Sequence, residues 1–202
     1  MLHMYLLGLC LYAFNFAWAQ VKTFNKSRRG AAKTFNWRFQ TFNVRHIDNT
    51  IFTKRYSAGT KDLKYVEAKE WRNLMYQLLV CLGLSNDQFL PGDESRKNIQ
   101  HAVSFLLIYY DLIWDAEGHN EAALAFIDEL TPKLLRSYKV AFHGQSLSDF
   151  NFLKFHSAHH LTHVIKEFGS LRSVDSSAGM ISISFPNLNT HYINQVRGCI
   201  AT

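Results

Sequence analysis

Asp149–Gly169, DFNFLKFHSAHHLTHVIKEFG, carries the densest chemical information in the chain. At about 100° per residue, Phe155, Ala158, Leu161, Ile165 and Phe168 fall on one side of a helix and His156, His159, His160 and His163 on the other. The stretch therefore reads as one complete amphipathic helix. Asp149 or Asn151 is placed to cap its start, and Gly169 supplies the residue that most easily turns left-handed past its end.

Histidines at relative positions 0, 3, 4 and 7 put two imidazoles one turn apart, as His156/His160 or His159/His163, a spacing that suits a divalent metal. The rest of a metal site is missing. No glutamate completes an HExxH pattern, no CxxC lies near, and a zinc centre wants a third protein ligand. The preferred account is a helix packed by its apolar face with histidines solvated or hydrogen-bonded to neighbours, and no metal is assigned.

The composition sets the frame for this helix. Over 202 residues, 48% hydrophobic content with 14% aromatics is ample for a packed core and excludes a disordered chain. Three prolines and ten glycines favour helices over an all-β sandwich, so the expectation is a mainly α fold. Cys10, Cys81 and Cys199 are odd in number and far apart, which suits free thiols in a reducing compartment better than a disulfide framework. The net charge of +6 is concentrated at the N-terminal end. Residues 1–60 carry nine Lys/Arg against the single acid Asp48, residues 61–150 nine against thirteen, and residues 151–202 four against two. Such a local field attracts an anionic partner, nucleic acid or a membrane surface, and the competing account is a solvated basic loop.

Residues 1–19, MLHMYLLGLCLYAFNFAWA, are almost wholly apolar and admit three readings. A secretory signal explains the length and the Ala17-Trp18-Ala19 pattern, but no Lys or Arg stands in its n-region. A membrane span is just long enough, with Lys22, Lys26, Arg28 and Arg29 as its anchor. The third reading is a buried helix of a globular domain. On composition alone the signal and the core helix weigh equally.

Residues 20–60 interleave Lys22, Lys26, Arg28, Arg29, Lys33 and Arg38 with Phe24, Phe35, Trp37, Phe39 and Phe42. Aromatics among cations suit stacking on unpaired bases beside phosphate contacts, and these six cations are the candidate DNA-binding residues. The same pattern arises where a helix buries its aromatics and solvates its basic side. Phe35, Phe39 and Phe42 share a face, which predicts a short helix near residues 33–43. Thr-Phe-Asn recurs at 23, 34 and 41, too irregularly for a solenoid repeat.

Residues 61–169 form the expected helical domain. Trp71, Leu74, Met75, Leu78, Leu79 and Leu82 trace the clearest buried stripe, from Glu67 to Gly83. Leu90-Pro91-Gly92-Asp93 reads as a turn. Ile99, Val103, Leu106, Leu107, Tyr110 and Ile113 bury one side of a helix over 98–114. A further helix over 119–130 is expected to break or kink at Pro132 before Leu134, Leu135, Tyr138 and Phe142 continue an apolar face. Residues 170–202 form a divergent tail with an alternating, strand-like run from Met180 to Phe185.

The order of these pieces resembles the C-terminal part of a transposase. The opening LHMYLLGLCLY, then FNVRH with Lys54-Arg55, AKEWRNLMYQLLV, FLLIYYDLI and FNFLKFHSAHHLTHVIKEFGSLRSVDSSAG are collinear over residues 2–179 with the Plavaka and Kyakuja-Dileera-Zisupton group, related to the CACTA elements. Lys154, His156, His160 (or His159) and the Phe168-Gly169 close carry the family's characteristic string. The resemblance implies an RNase H-like core in which three acids hold two divalent metals, magnesium in the parent family, for phosphoryl transfer. His3 matches the histidine of an Asp-x-x-His signature whose aspartate would precede Met1. The third acid, a glutamate, is expected after Gly179, where this chain reads Met180-Ile181-Ser182.

The resemblance thus implies the helical insertion region and flanks of such a core, truncated and degenerate. A chain of that kind would have no catalytic residue, no metal ligand and no cofactor of its own, with weak, nonspecific DNA binding and an intracellular location that includes the nucleus. The resemblance also turns residues 1–19 toward a buried helix. The alternatives are a small secreted or membrane-attached helical protein defined by residues 1–19, and a basic nucleic-acid-binding module domesticated from the element.

Overall fold

The computed structural model describes residues 5–41, 68–83, 89–114, 119–146, 149–151 and 153–169. Within them the chain is mainly helical, and no strand occurs among the described residues. His3, Phe42, the 170–202 tail and its strand-like run lie outside them.

A π-helical stretch at Tyr5–Cys10 leads directly into α1, Leu11–Ser27. One helix thus runs through position 19, where the apolar segment was expected to end. Alanines and aromatics on α1 explain its central position. Ala13, Phe14, Ala17 and Val21 are buried, and Phe14 and Phe16, two residues apart, leave the helix toward nearly opposite sides. Phe14 meets Phe35, Phe39 and Trp71 at ring distances of 6.4, 5.4 and 6.1 Å. Phe16 meets Tyr138, Phe142 and Phe150 at 6.5, 5.7 and 5.9 Å. From Leu9 to Val21 the apolar stretch lends its buried side chains to the core, and no helix among the described residues is long and apolar enough to cross a membrane.

Helices α2 (Ala31–Thr41) and α3 (Ala68–Gly83) lie on the Phe14 side. The stripe expected for α3 is buried at Trp71, Leu74, Met75, Leu78 and Leu82, with Leu79 partly covered. Helices α4 (Asp93–Ile113) and α5 (Glu121–Ala141) form the most extensive pair among the described helices. Helix α4 begins five residues before the apolar pattern does, because Asp93 and Glu94 suit the positive end of its dipole.

Of the break or kink expected at Pro132, the break does not occur, since α5 continues through the proline. Leu124, Ile127, Leu130, Leu134, Leu135 and Tyr138 are buried on both sides of the proline, so packing holds the helix through the missing donor. Its start is capped by Asn120, whose Oδ1 accepts from the Ala123 amide at 2.8 Å.

Long polar contacts hold the elements in register. The buried Tyr138 hydroxyl donates to the Leu9 carbonyl at 2.8 Å. Gln20 joins three helices, donating to the Ala141 carbonyl at 2.7 Å and accepting from Ser95 Oγ at 3.0 Å. Burial pushes the Tyr109 phenol and the Cys81 thiol each up to about 12, and the Tyr138 phenol well above its ordinary value. Cys10 and Cys81 are both buried and neither is in a disulfide.

The 149–169 stretch is not one continuous helix. It comprises α6 (Leu153–His156), a 3₁₀ turn (Ser157–His160) and α7 (Leu161–Phe168), preceded by Asp149 and Phe150 at positive φ. Phe155, Ala158, Leu161 and Ile165 are buried as the apolar face required, but Phe168 is 60% exposed. The tightening lies where the chain is tied down: Tyr109 donates to the Ala158 carbonyl at 3.3 Å and Ser157 Oγ to the Leu153 carbonyl at 2.7 Å. Gly169 does close α7 at φ +78°, its amide bonded to the Ile165 carbonyl at 2.9 Å.

Candidate nucleic-acid interface

Five of the six cations singled out in the sequence come together at one corner. Lys22 and Lys26 stand one turn apart on α1, Arg28 and Arg29 form the turn, and Lys33 opens α2; all five are exposed. The corner is a defined structure. Asn25 Oδ1 accepts from the Gly30 and Ala32 amides, both at 3.1 Å, so one side chain satisfies two donors at the start of α2. Gly30, at φ +101°, makes the reversal possible. Ser27 Oγ donates to the Phe24 carbonyl at 2.8 Å, and the Arg28 amide bonds the same carbonyl at 2.8 Å.

The electrostatics have their origin in the sequence. Residues 1–47 contain no aspartate or glutamate, so neither α1 nor α2 supplies an acid to neutralise these cations. The Lys22 ammonium lies 6.0 Å from the centre of the Trp18 ring, which orders its stem along α1.

The sixth cation does not belong to this surface. Arg38 is 4% exposed, donates to the Cys81 carbonyl at 3.2 Å and lies 5.3 Å from the Phe89 ring centre. It caps the end of α3 inside the core, where its fixed charge is hydrogen-bonded and covered by an aromatic face. Gln77 answers by donating to the Phe39 carbonyl. The aromatics divide the same way: Phe35 and Phe39 are fully buried, whereas Trp37 is 57% exposed on α2, one turn after Lys33. Of the proposed base-stacking set on α2, only Trp37 is exposed among the described residues.

A cleft of about 660 Å³ borders the corner, lined by Lys26 and Ser27 of α1, Glu94, Ser95 and Asn98 of α4, and His143 beyond α5. Sequence reasoning missed it because three separate segments contribute its walls. Only the polar positions of α1 at 20, 23 and 27 hinted at a second hydrophilic edge on that helix.

The family-string residues sit elsewhere. His156 and His160 are exposed with Nε2 atoms 3.2 Å apart, and His159 and His163 are exposed on the same segment, His163 pairing with Glu167 at 3.2 Å. Lys154 is in α6, Phe168 ends α7, and Gly169 follows it.

The described residues do not fit a centre of two magnesium ions. Such a centre wants converging carboxylates. Here Asp93 is engaged by Arg96 and Lys97, Asp111 by Arg72 at 2.6 Å, and Asp128 by the Thr162 hydroxyl, on three different parts of the surface. The hydrogen bond from Arg96 holds the Asp93 carboxyl below its ordinary value. No group of three or more metal-ligating side chains occurs among the described residues.

The fold and this corner define a helical protein with a cationic edge whose two helices, α1 and α2, carry no acid. No family model, curated protein or solved structure matches the chain.

Proposed function

We propose that the chain is a degenerate, transposase-derived helical protein that performs no strand chemistry of its own and binds DNA weakly and without sequence preference through the α1–α2 corner. The observation that carries the binding is the convergence of Lys22, Lys26, Arg28, Arg29 and Lys33 on one exposed edge built from two helices that contain no acid. Clustered cations displace condensed counterions from a phosphate backbone whatever the base sequence, which gives affinity without readout. The ancestry rests on the collinear motifs of residues 2–179. On that reading the helices correspond to the insertion region of an RNase H-like core, and Met180-Ile181-Ser182 replaces the third acid.

The test is fluorescence anisotropy with labelled duplexes of two unrelated sequences. Both should bind alike, and replacing the five corner residues by alanine should abolish binding at low salt. Incubation with magnesium or manganese should leave intact and nicked duplexes uncut. A strong preference for one duplex would overturn the nonspecific mode. Cleavage that disappears on Asp175→Ala or Glu167→Ala would overturn the inactive reading.

A further inference from the structure

The 3₁₀ turn in the histidine stretch creates an arrangement that does not depend on DNA binding and lies outside the α1–α2 corner. His156 Nε2 and His160 Nε2 stand 3.2 Å apart, with ring centres 5.0 Å apart and planes crossed at 68°. Two imidazole nitrogens bound to one tetrahedral ion at the usual length of about 2.05 Å are about 3.3 Å apart. The two edges are therefore already spaced as a pair of ligands, and both rings are exposed, so water can complete the coordination.

The backbone beneath the pair is fixed. Phe155, Ala158 and Leu161 are buried under it, Tyr109 of α4 holds the Ala158 carbonyl, and Ser157 ties the turn to Leu153. Ligands on a rigid base lose little freedom on binding an ion. His159, whose ring centre is 6.4 Å from that of His156, is oriented less closely toward the pair. His163 is drawn to Glu167. Among the described residues of the packed elements, Asp128 is held by Thr162 and Glu121 is paired with Lys166 at 3.8 Å. None of these joins the two imidazoles in a group of three.

We propose that His156 and His160 form a two-imidazole chelate for a borderline-soft divalent cation of the zinc, copper or nickel class, with water in the remaining positions. Magnesium is excluded by chemistry, since it prefers oxygen ligands and near-octahedral geometry. Without an ion the same pair makes an N–H···N hydrogen bond; to bind an ion the donor ring moves its proton from Nε2 to Nδ1, so that both Nε2 atoms present a lone pair to the metal.

The test is calorimetric titration of the full chain with zinc chloride, followed by the imidazole signals in nitrogen-15 NMR. One ion should bind per chain, and the His156 and His160 Nε2 signals should move most. His156→Ala and His160→Ala should each weaken binding about tenfold or more, whereas His159→Ala and His163→Ala should change it by less than about threefold. Magnesium chloride should give no binding. All four rings are exposed, so the variants should keep the wild-type circular dichroism. Equal weakening by all four substitutions, zinc binding that survives loss of both His156 and His160, or no zinc binding up to millimolar concentration would overturn the site. None of these outcomes bears on the DNA reading.

Discussion

Helices α1 and α2 and helices α4 and α5 use the same basic side chains in opposite ways. On α4 and α5 acids alternate with cations: Arg96 and Lys97 meet Asp93, and Lys133 meets Glu129 at 2.7 Å. Arg72 of α3 reaches Asp111 of α4. There the pairing lets an exposed helix carry charge without projecting a field. On α1 and α2 no acid occurs, and five cations crowd the turn between them while the sixth is taken inside. The difference lies less in how many cations each region has than in whether acids stand within one turn of them. A charge count per segment detects a basic region, but only the fold separates an outward field from an inward cap.

The sharpest way to break the contrast is to remove the packing that turns the aromatic side of α2 inward. Phe14→Ala, at a residue 1% exposed among Phe35, Phe39 and Trp71, should cost about 3–5 kcal/mol in urea unfolding. Arg38 comes next. Arg38→Ala leaves the Cys81 carbonyl without its donor and uncovers Phe89, and should destabilise by about 2–3 kcal/mol while leaving the DNA affinity of the folded protein unchanged. Lys26→Ala should do the reverse, weakening DNA binding with almost no effect on stability.

High pH sharpens the buried side of the comparison. Cys81 and Tyr109 keep their protons to about pH 12 in the fold but ionise near 9 and 10 when exposed. Above pH 9 the folded state thus holds more protons than the unfolded one, and stability falls as pH rises. The slope approaches about 1.4 kcal/mol per pH unit for each group, read from urea midpoints between pH 8 and 11. The smallest effect is expected on the paired surface. Lys133→Ala removes a solvated ion pair one turn long and should change stability by no more than about 0.5 kcal/mol.

Most of the helices were legible because burial follows a 3.6-residue period: the stripe from Trp71 to Leu82 and the faces of α4 and α5 lie where the spacing puts them. The misses share a physical cause, since each depends on what another element does. Pro132 reads as a point of breaking or kinking until residues on both sides of it are found buried along one helix. Arg38 reads as one more surface cation until the end of α3 is found to need a donor. The histidine stretch reads as a single helix until Tyr109 is seen gripping the turn between its halves. For the corner, the charges were legible but the Asn25-capped reversal that gathers them was not. Asn25 is an ordinary residue in sequence and acquires its role only when α2 folds back.

The central claim is that the α1–α2 corner, and not the remaining basic residues, meets DNA. The direct measurement is the dependence of DNA affinity on salt for three proteins: wild type, the corner variant with Lys22, Lys26 and Lys33 replaced by alanine, and a control with Lys97, Lys133 and Lys139 replaced by alanine. Each phosphate contact contributes about 0.9 to the slope of log affinity against log salt on duplex DNA. The account predicts that the corner variant loses about two to three units of slope and that the control keeps the wild-type value. Equal slopes in all three proteins, or a loss confined to the control, would contradict it.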